Sequence, residues 1–520
     1  MNYTTYLCSP ISFPGGKGNI ISWSFLLLWL GIIIFISSYH EMWRDEVRSL
    51  YVALGPDSLW ELPATLKNEG HPILWYLILR LGFQFTQTPV ILKIASISIA
   101  FMGVYLFFRY APFQLWFKVL FLGTVLPMYE YSIMARNYGI SMLFFYLFAA
   151  LYSQRRERPY LLATVLFVLA HTNIHSSILV CFLTCYWLYE DVVIDKSFMT
   201  NNAKIHLILS FSLVFLGVAL AIMTVLPDKN SVVIQPPSFN ITQILSAFWE
   251  NIKHPGMHYD VIFYKIPYLA RDILIWLFFI GLLVRPVAAV LFFGGTVVLG
   301  LFFSIGYNGV LRHQGIFFIF LLTMYWIVTI DLLDKPNVRQ FFNPVFIVVL
   351  YVVLPFIFII HIGGTYKKVH RDLTQEMSSN KAFGEFIQNN EQFHDAIIIG
   401  EPDIRLESLP YYVGNKIYVP REKQFANYVK LTHENKQDMT LGELLEAARI
   451  LKAKEKKPVL IALGHFGLLG QRPPFIRTEK YNKKFMWSIR ELKDFQNSTM
   501  KIAEFKKDVK NERFEVYQLK

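Results

Sequence analysis

Apolar runs separated by short polar turns fill residues 1–361. They recur near 20–38, 90–108, 114–128, 138–152, 160–175, 176–189, 205–226, 272–284, 287–304, 314–330 and 342–361. A helix that crosses a bilayer needs about 17 to 25 largely uncharged residues, so the pattern predicts about eleven membrane-crossing helices. The first run, Ile20 to Ser37, carries no charge and has neither a basic leader nor a small-residue cleavage site, so it reads as an uncleaved first span. A further segment, Pro72 to Phe85, is apolar but short and is interrupted by Arg80. It is expected as a surface helix within an external loop spanning 39–89, because a crossing there would move the basic turn at residues 154–158 outside.

With that assignment, Arg109, Lys118, Arg155, Arg156, Arg158, Lys196, Arg285, Lys335 and Arg339 share the side of Lys17. Positive residues in short loops mark the cytoplasmic face. An odd number of crossings then places the remainder, residues 362–520, outside the cytoplasm of a bacterial plasma membrane. In this remainder Ala396–Gly400, Lys416–Val419, Pro458–Leu463 and Phe514–Leu519 read as strands, and Leu441–Lys454 has helical periodicity. The fold class expected is a polytopic α-helical membrane domain (1–361) followed by a soluble α/β domain (362–520).

Composition sharpens this picture. The chain is 54% hydrophobic and 17% charged, with a mean hydropathy of +0.38, which excludes an ordinary soluble enzyme. Residues 1–361 hold 22 Lys/Arg and 17 Asp/Glu, against 28 and 21 in the remainder. The net charge of +12 suits anionic headgroups or phosphorylated substrates, and no basic, aromatic-interleaved nucleic-acid motif occurs. Of the three cysteines, Cys8, Cys181 and Cys185, none lies in the soluble part, which must fold without disulfides. Cys181 and Cys185 share a helix face and suit packing better than metal or redox work.

The loops expected outside are rich in reactive side chains. The first carries His40, Glu41, Arg44, Asp45, Glu46, Arg48 and His71, and the second Glu130 and Arg136. His171 and His175 follow near the third, His254, His258 and Asp260 in the fourth, and Arg312 and His313 in the fifth. Asp45 and Glu46 could supply a general base at the membrane boundary, or simply the acidic first turn of a helix. Glu130 and Arg136 could serve a site or anchor two helix ends. The spacing of His171 and His175 puts both on one helix face, where they could bind a metal or hydrogen-bond within the bundle. Arg312 and His313 could hold an anion or anchor a span in the headgroups.

The segment Trp43-Arg44-Asp45-Glu46, followed by His71-Pro72-Ile73-Leu74-Trp75-Tyr76, resembles the first external loop of the C-type glycosyltransferase superfamily. The branch in question contains the protein O-mannosyltransferases and bacterial aminoarabinose transferases, and Ile73 stands where that branch often has a second Pro. Residues Pro127 to Tyr138, with Glu130, Arg136 and Tyr138 in a Glu-to-Arg-x-Tyr pattern, are similar to its second external loop. Arg312-His313 is similar to a pair found before a late span. The likeness covers roughly residues 20–330 and leaves the C-terminal domain aside.

The resemblance implies transfer of a hexose or pentose from a polyprenyl-phosphate donor to a lipid, glycan or protein acceptor outside the cytoplasm, with inversion at the anomeric carbon. On that basis Asp45 is the expected base and Glu46 its partner in orienting acceptor or metal. Arg136, Arg312 and His313 are directed at the phosphate, and Glu130 and His71 at Arg136 or the sugar. A divalent cation is compatible with carboxylates beside phosphate oxygens, and the residues leave its presence open. The competing expectation is a flippase, transporter, polymerase or ligase of lipid-linked saccharides. Transporters tend to place ionisable groups at mid-membrane and to show internal repeats, whereas here the charges gather at one face.

Overall fold

The computed structural model describes residues 17–194, 200–232, 240–334, 344–464, 466–468, 471 and 475–520. Lys196, Lys335, Arg339 and Cys8 lie outside the described residues. The protein is mostly helical, with a C-terminal domain built on a sheet.

Among the described residues, seven helices are long and apolar enough to cross a membrane: Ile20–Tyr39, Ile91–Tyr110, Ile174–Ile194, Asn201–Val225, Pro286–Ile305, Leu311–Leu333 and Pro344–Gln388. They give the chain the character of a membrane protein. The other four apolar runs form shorter helices. Tyr138–Leu151, Pro159–Ala170 and Tyr268–Leu282 have 14, 12 and 15 residues, and the run at 114–128 breaks into Leu115–Leu122 and a wider turn, Leu126–Glu130. At about 1.5 Å per residue each is shorter than the roughly 30 Å hydrocarbon layer. Irregular backbone at such depth persists only where protein encloses it, and residues 131–135, which join two of these pieces, are all buried.

The helix containing residue 361 runs on to Thr374 and carries Lys368, Arg371 and Asp372 in its polar last turns. After a break at 375–378 the same run continues as helix Ser379–Gln388, which opens the sheet-bearing unit. Its larger sheet has the order β3-β2-β1-β5-β9-β8, where β1 is Ile397–Glu401, β2 Ile417–Val419, β3 Gln424–Phe425, β5 Val459–Gly464, β8 Thr499–Phe505 and β9 Phe514–Leu519. β1 pairs in parallel with β2 and β5, with Ile398 opposite Ile417 and Leu460, while β9 runs antiparallel to β5. Continuous burial of both faces explains why β1 and β5 read as unbroken apolar runs. A smaller sheet joins β4 (Asp438–Thr440), β7 (Lys484–Met486) and β6 (Ile476–Thr478) in that order.

The sheet-bearing unit is seated on the first loop. Helices Arg44–Leu54 and Leu74–Thr86 share an apolar cluster with Tyr411, Tyr412 and Tyr428. The hydroxyls of Tyr412 and Tyr51 donate across the joint to the carbonyls of Met42 and Pro410, at 2.7 and 2.8 Å. Buried Arg48 forks onto Glu69, at 2.6 and 3.0 Å, and also pairs with Glu407 of the sheet-bearing unit. Burial pushes the Glu407 carboxyl up to about 7, against the pull of Arg48.

Candidate active site

Asp45 lies in the first turn of helix Arg44–Leu54 and keeps 26% of its side chain exposed. Its carboxylate stands 3.6 Å from Arg312 Nη2 and 3.3 Å from Arg44 Nε. Its backbone carbonyl accepts from Arg136 Nη1. The other arm of that guanidinium, Nη2, lies 3.1 Å from His71 Nε2. Arginine only donates, so this nitrogen of His71 accepts and the ring is neutral. Burial and the Arg136 charge hold the His71 imidazole well below its ordinary range. Tyr131 donates its hydroxyl to the Arg312 carbonyl at 2.8 Å, fixing the start of the late helix against the second loop. His313 stacks on His175, with centroids 5.2 Å apart, and meets the edges of Tyr138 and Tyr307 at 5.1 Å each. Residues from three loops, taken separately from the sequence, thus come together: Asp45, His71, Arg136, Arg312 and His313.

Glu130 adjoins this group but pairs with Lys368 of the last long helix, 2.7 Å away, and not with Arg136. Glu46 differs more from expectation. Its side chain is fully enclosed, with its oxygens 2.7 Å from Ala135 N and 3.1 Å from His40 Nε2, so it is not available to orient an acceptor or a metal. Successive helix positions point about 100° apart, and the two adjacent acids therefore face different surroundings. The other ring nitrogen of His40 meets Asp372 at 2.6 Å, and Tyr129 donates its hydroxyl to Asp372 at 2.7 Å. Burial opposes charge on His40, but Glu46 and Asp372 override it and raise the imidazole to about 9. This buried chain fixes the first loop, the second loop and the last helix to one another.

His171 and His175 do not share a helix. The chain breaks between Pro159–Ala170 and Ile174–Tyr189, where Asn173 caps the second helix by accepting from Ser176 N at 2.9 Å. His254 pairs with Asp272 at 3.0 Å and His258 with Ser304 at 2.6 Å. Among the described residues no three His, Cys, Asp or Glu side chains gather in a way that could hold a metal ion.

Three contributors escaped the sequence reading: Lys368, Arg371 and Lys510. The run Lys367-Lys368 to Arg371-Asp372, directly after the last apolar stretch, was a usable signal, whereas Lys510 sits in a polar turn like many others. Around the site Arg44, Arg136, Arg312, Lys368, Arg371, Lys510 and protonated His40 face Asp45, Glu46, Glu130, Asp372 and Glu512, seven cations against five carboxylates. Arg312 Nε and both nitrogens of His175 are buried without a hydrogen-bond partner among the described residues. Buried polar groups normally find partners, so this excess of positive charge and donors fits an anionic, oxygen-rich ligand. No protein-family model matches the chain, and no curated protein matches it by sequence.

Proposed function

We propose that the protein is a membrane glycosyltransferase of the C-type superfamily, moving a sugar from a polyprenyl phosphate to an acceptor hydroxyl at the extracytoplasmic face. The observation that carries this reading is the meeting of Asp45 with Arg136 and Arg312, and of Arg136 with His71, from three loops, amid surplus positive charge. Arg136 and Arg312 offer donor forks matched to phosphate oxygens. A polyprenyl phosphate leaves without prior protonation, so the group most needed is a base for the acceptor.

In the reaction the acceptor oxygen attacks the anomeric carbon while Asp45 takes its proton. The bond from that carbon to the phosphate oxygen breaks, and the phosphate departs with the electron pair, stabilised by Arg136 and Arg312. One in-line displacement inverts the anomeric centre. Glu46 acts indirectly, holding the start of the Asp45 helix through His40 and Ala135. Eleven crossings, counting the shorter helices with the long ones, would put the soluble domain outside a bacterial plasma membrane, on the same face as this chemistry.

The test is sugar transfer by the full chain in nanodiscs with radiolabelled polyprenyl-phosphate sugars. Asp45→Asn should bind donor yet release at least about 100-fold less polyprenyl phosphate, as for loss of a general base. Arg136→Ala should lose donor affinity. Absence of release from every donor, or both variants as active as wild type, would overturn the assignment and favour a flippase or polymerase.

A further inference from the structure

The turn between β8 and β9 is wired to the candidate site. Asp508 accepts from the N–H groups of Asn511 and Glu512, each at 2.6 Å, and from Ser379 Oγ at 3.1 Å. Lys510 N donates to the Met377 carbonyl at 3.2 Å. Glu512, almost wholly buried, accepts from Ser378 Oγ, from Ser408 Oγ at 2.9 Å and from Asn380 Nδ2 at 3.0 Å. Its second oxygen accepts from Arg44 N at 3.0 Å, in the residue that precedes Asp45. The turn is therefore anchored both in the soluble domain and on the first turn of the Asp45 helix.

Lys510 extends from this turn. Its ammonium lies 3.7 Å from the centroid of the Trp43 ring and, among the described residues, has no carboxylate within ion-pair distance. The charged groups facing it come from four elements: Glu46 of the Asp45 helix, Glu130 of the second loop, Arg312 of the late helix and Arg371 of the last helix. Two of these are cations that repel it. The Trp43 face attracts this ammonium, but burial and the two guanidiniums oppose its charge, and a bound anion would offset both. Glu130, one of the two carboxylates facing it, is already paired with Lys368.

We propose that the soluble domain completes the anion site, Lys510 joining Arg136 and Arg312 on the phosphate of the lipid ligand. This rests on the lipid-phosphate reading above, and it makes the C-terminal domain part of the binding machinery. Burial and the neighbouring guanidiniums hold the Lys510 ammonium down to about 8, so its charge is lost within an accessible pH range.

The deciding experiment measures equilibrium binding of a long-chain polyprenyl phosphate to the full chain in nanodiscs, between near-neutral pH and pH above 8, for wild type, Lys510→Ala, Lys510→Arg and Arg136→Ala. At neutral pH Lys510→Ala should bind about tenfold more weakly, the effect of one charge-assisted contact. Wild-type affinity should decline as pH passes about 8, and Lys510→Arg, which stays charged, should abolish that decline. Wild-type affinity in Lys510→Ala with an unchanged pH profile, while Arg136→Ala has lost binding, would overturn the inference and leave the functional reading intact. Failure of wild type itself to bind would overturn both.

Discussion

His40 offers a test of the buried architecture that does not depend on any assumption about substrate. Its ring stands between Glu46, at 3.1 Å, and Asp372, at 2.6 Å, and all three side chains at these contacts are enclosed. The rise from 6.5 to about 9 corresponds to about 3 kcal/mol in favour of the folded state when the ring is charged. Because the folded value lies above the unfolded one, this stabilisation is complete below pH 6.5, declines as pH rises and is lost above about 9. His40→Gln preserves hydrogen bonding but removes the charge, leaving two buried carboxylates without the cation that bridges them. Truncating one member of a buried ionic group in this way costs about 3–5 kcal/mol. Thermal unfolding in nanodiscs, followed by intrinsic fluorescence, should show wild type losing roughly 3 °C between pH 6.5 and above pH 9. The variant should start lower and stay flat. A variant that melts with wild type at pH 6.5, or a wild type insensitive to pH over this range, would refute the reasoning.

Other outcomes follow from single contacts. A methyl group at Gly139 would collide with the Tyr131 carbonyl oxygen, so Gly139→Ala should shift the loop carrying Arg136, cost about 1–3 kcal/mol and weaken polyprenyl-phosphate binding in the nanodisc assay. Arg421 grips Glu401 with two donors, at 2.7 and 3.0 Å, in the core of the soluble domain. Arg421→Met should strand that carboxylate and cost about 3–5 kcal/mol, read as faster amide exchange in β1 and β5 before the membrane helices respond. Glu512→Ala should remove the acceptor for Arg44 N and loosen the domain joint, seen as faster proteolysis between residues 375 and 378 with the spans still folded.

Much of the fold was legible because it is recorded locally. The apolar runs appear as helices, and the sheet's unbroken runs, such as Ile397–Glu401, appear as its central strands. What periodicity could not supply was where a helix stops inside an apolar stretch. His171 and His175 fall on either side of a break made by an Asn173 cap, which hydropathy does not detect. The site was half legible: Asp45, His71, Arg136, Arg312 and His313 could be named as residues of polar loops, and the resemblance attached roles to them. Glu46 was paired with Asp45 by adjacency, yet helix geometry turns it toward His40 and Ala135.

The sequence alone determined which faces prefer lipid, where the soluble domain begins to differ in charge, and which short segments concentrate ionisable groups. Each of these is a property of neighbouring residues, since a helix or strand repeats within a few positions. Only the tertiary structure decided the partners. His40 meets Asp372 across 332 positions, Arg48 meets Glu407 across 359, and Arg44 meets Glu512 across 468. The physical reason is that burying a charge is tolerable only beside a suitable counter-charge or hydrogen-bonding group, and which one is within reach depends on how whole helices and domains pack.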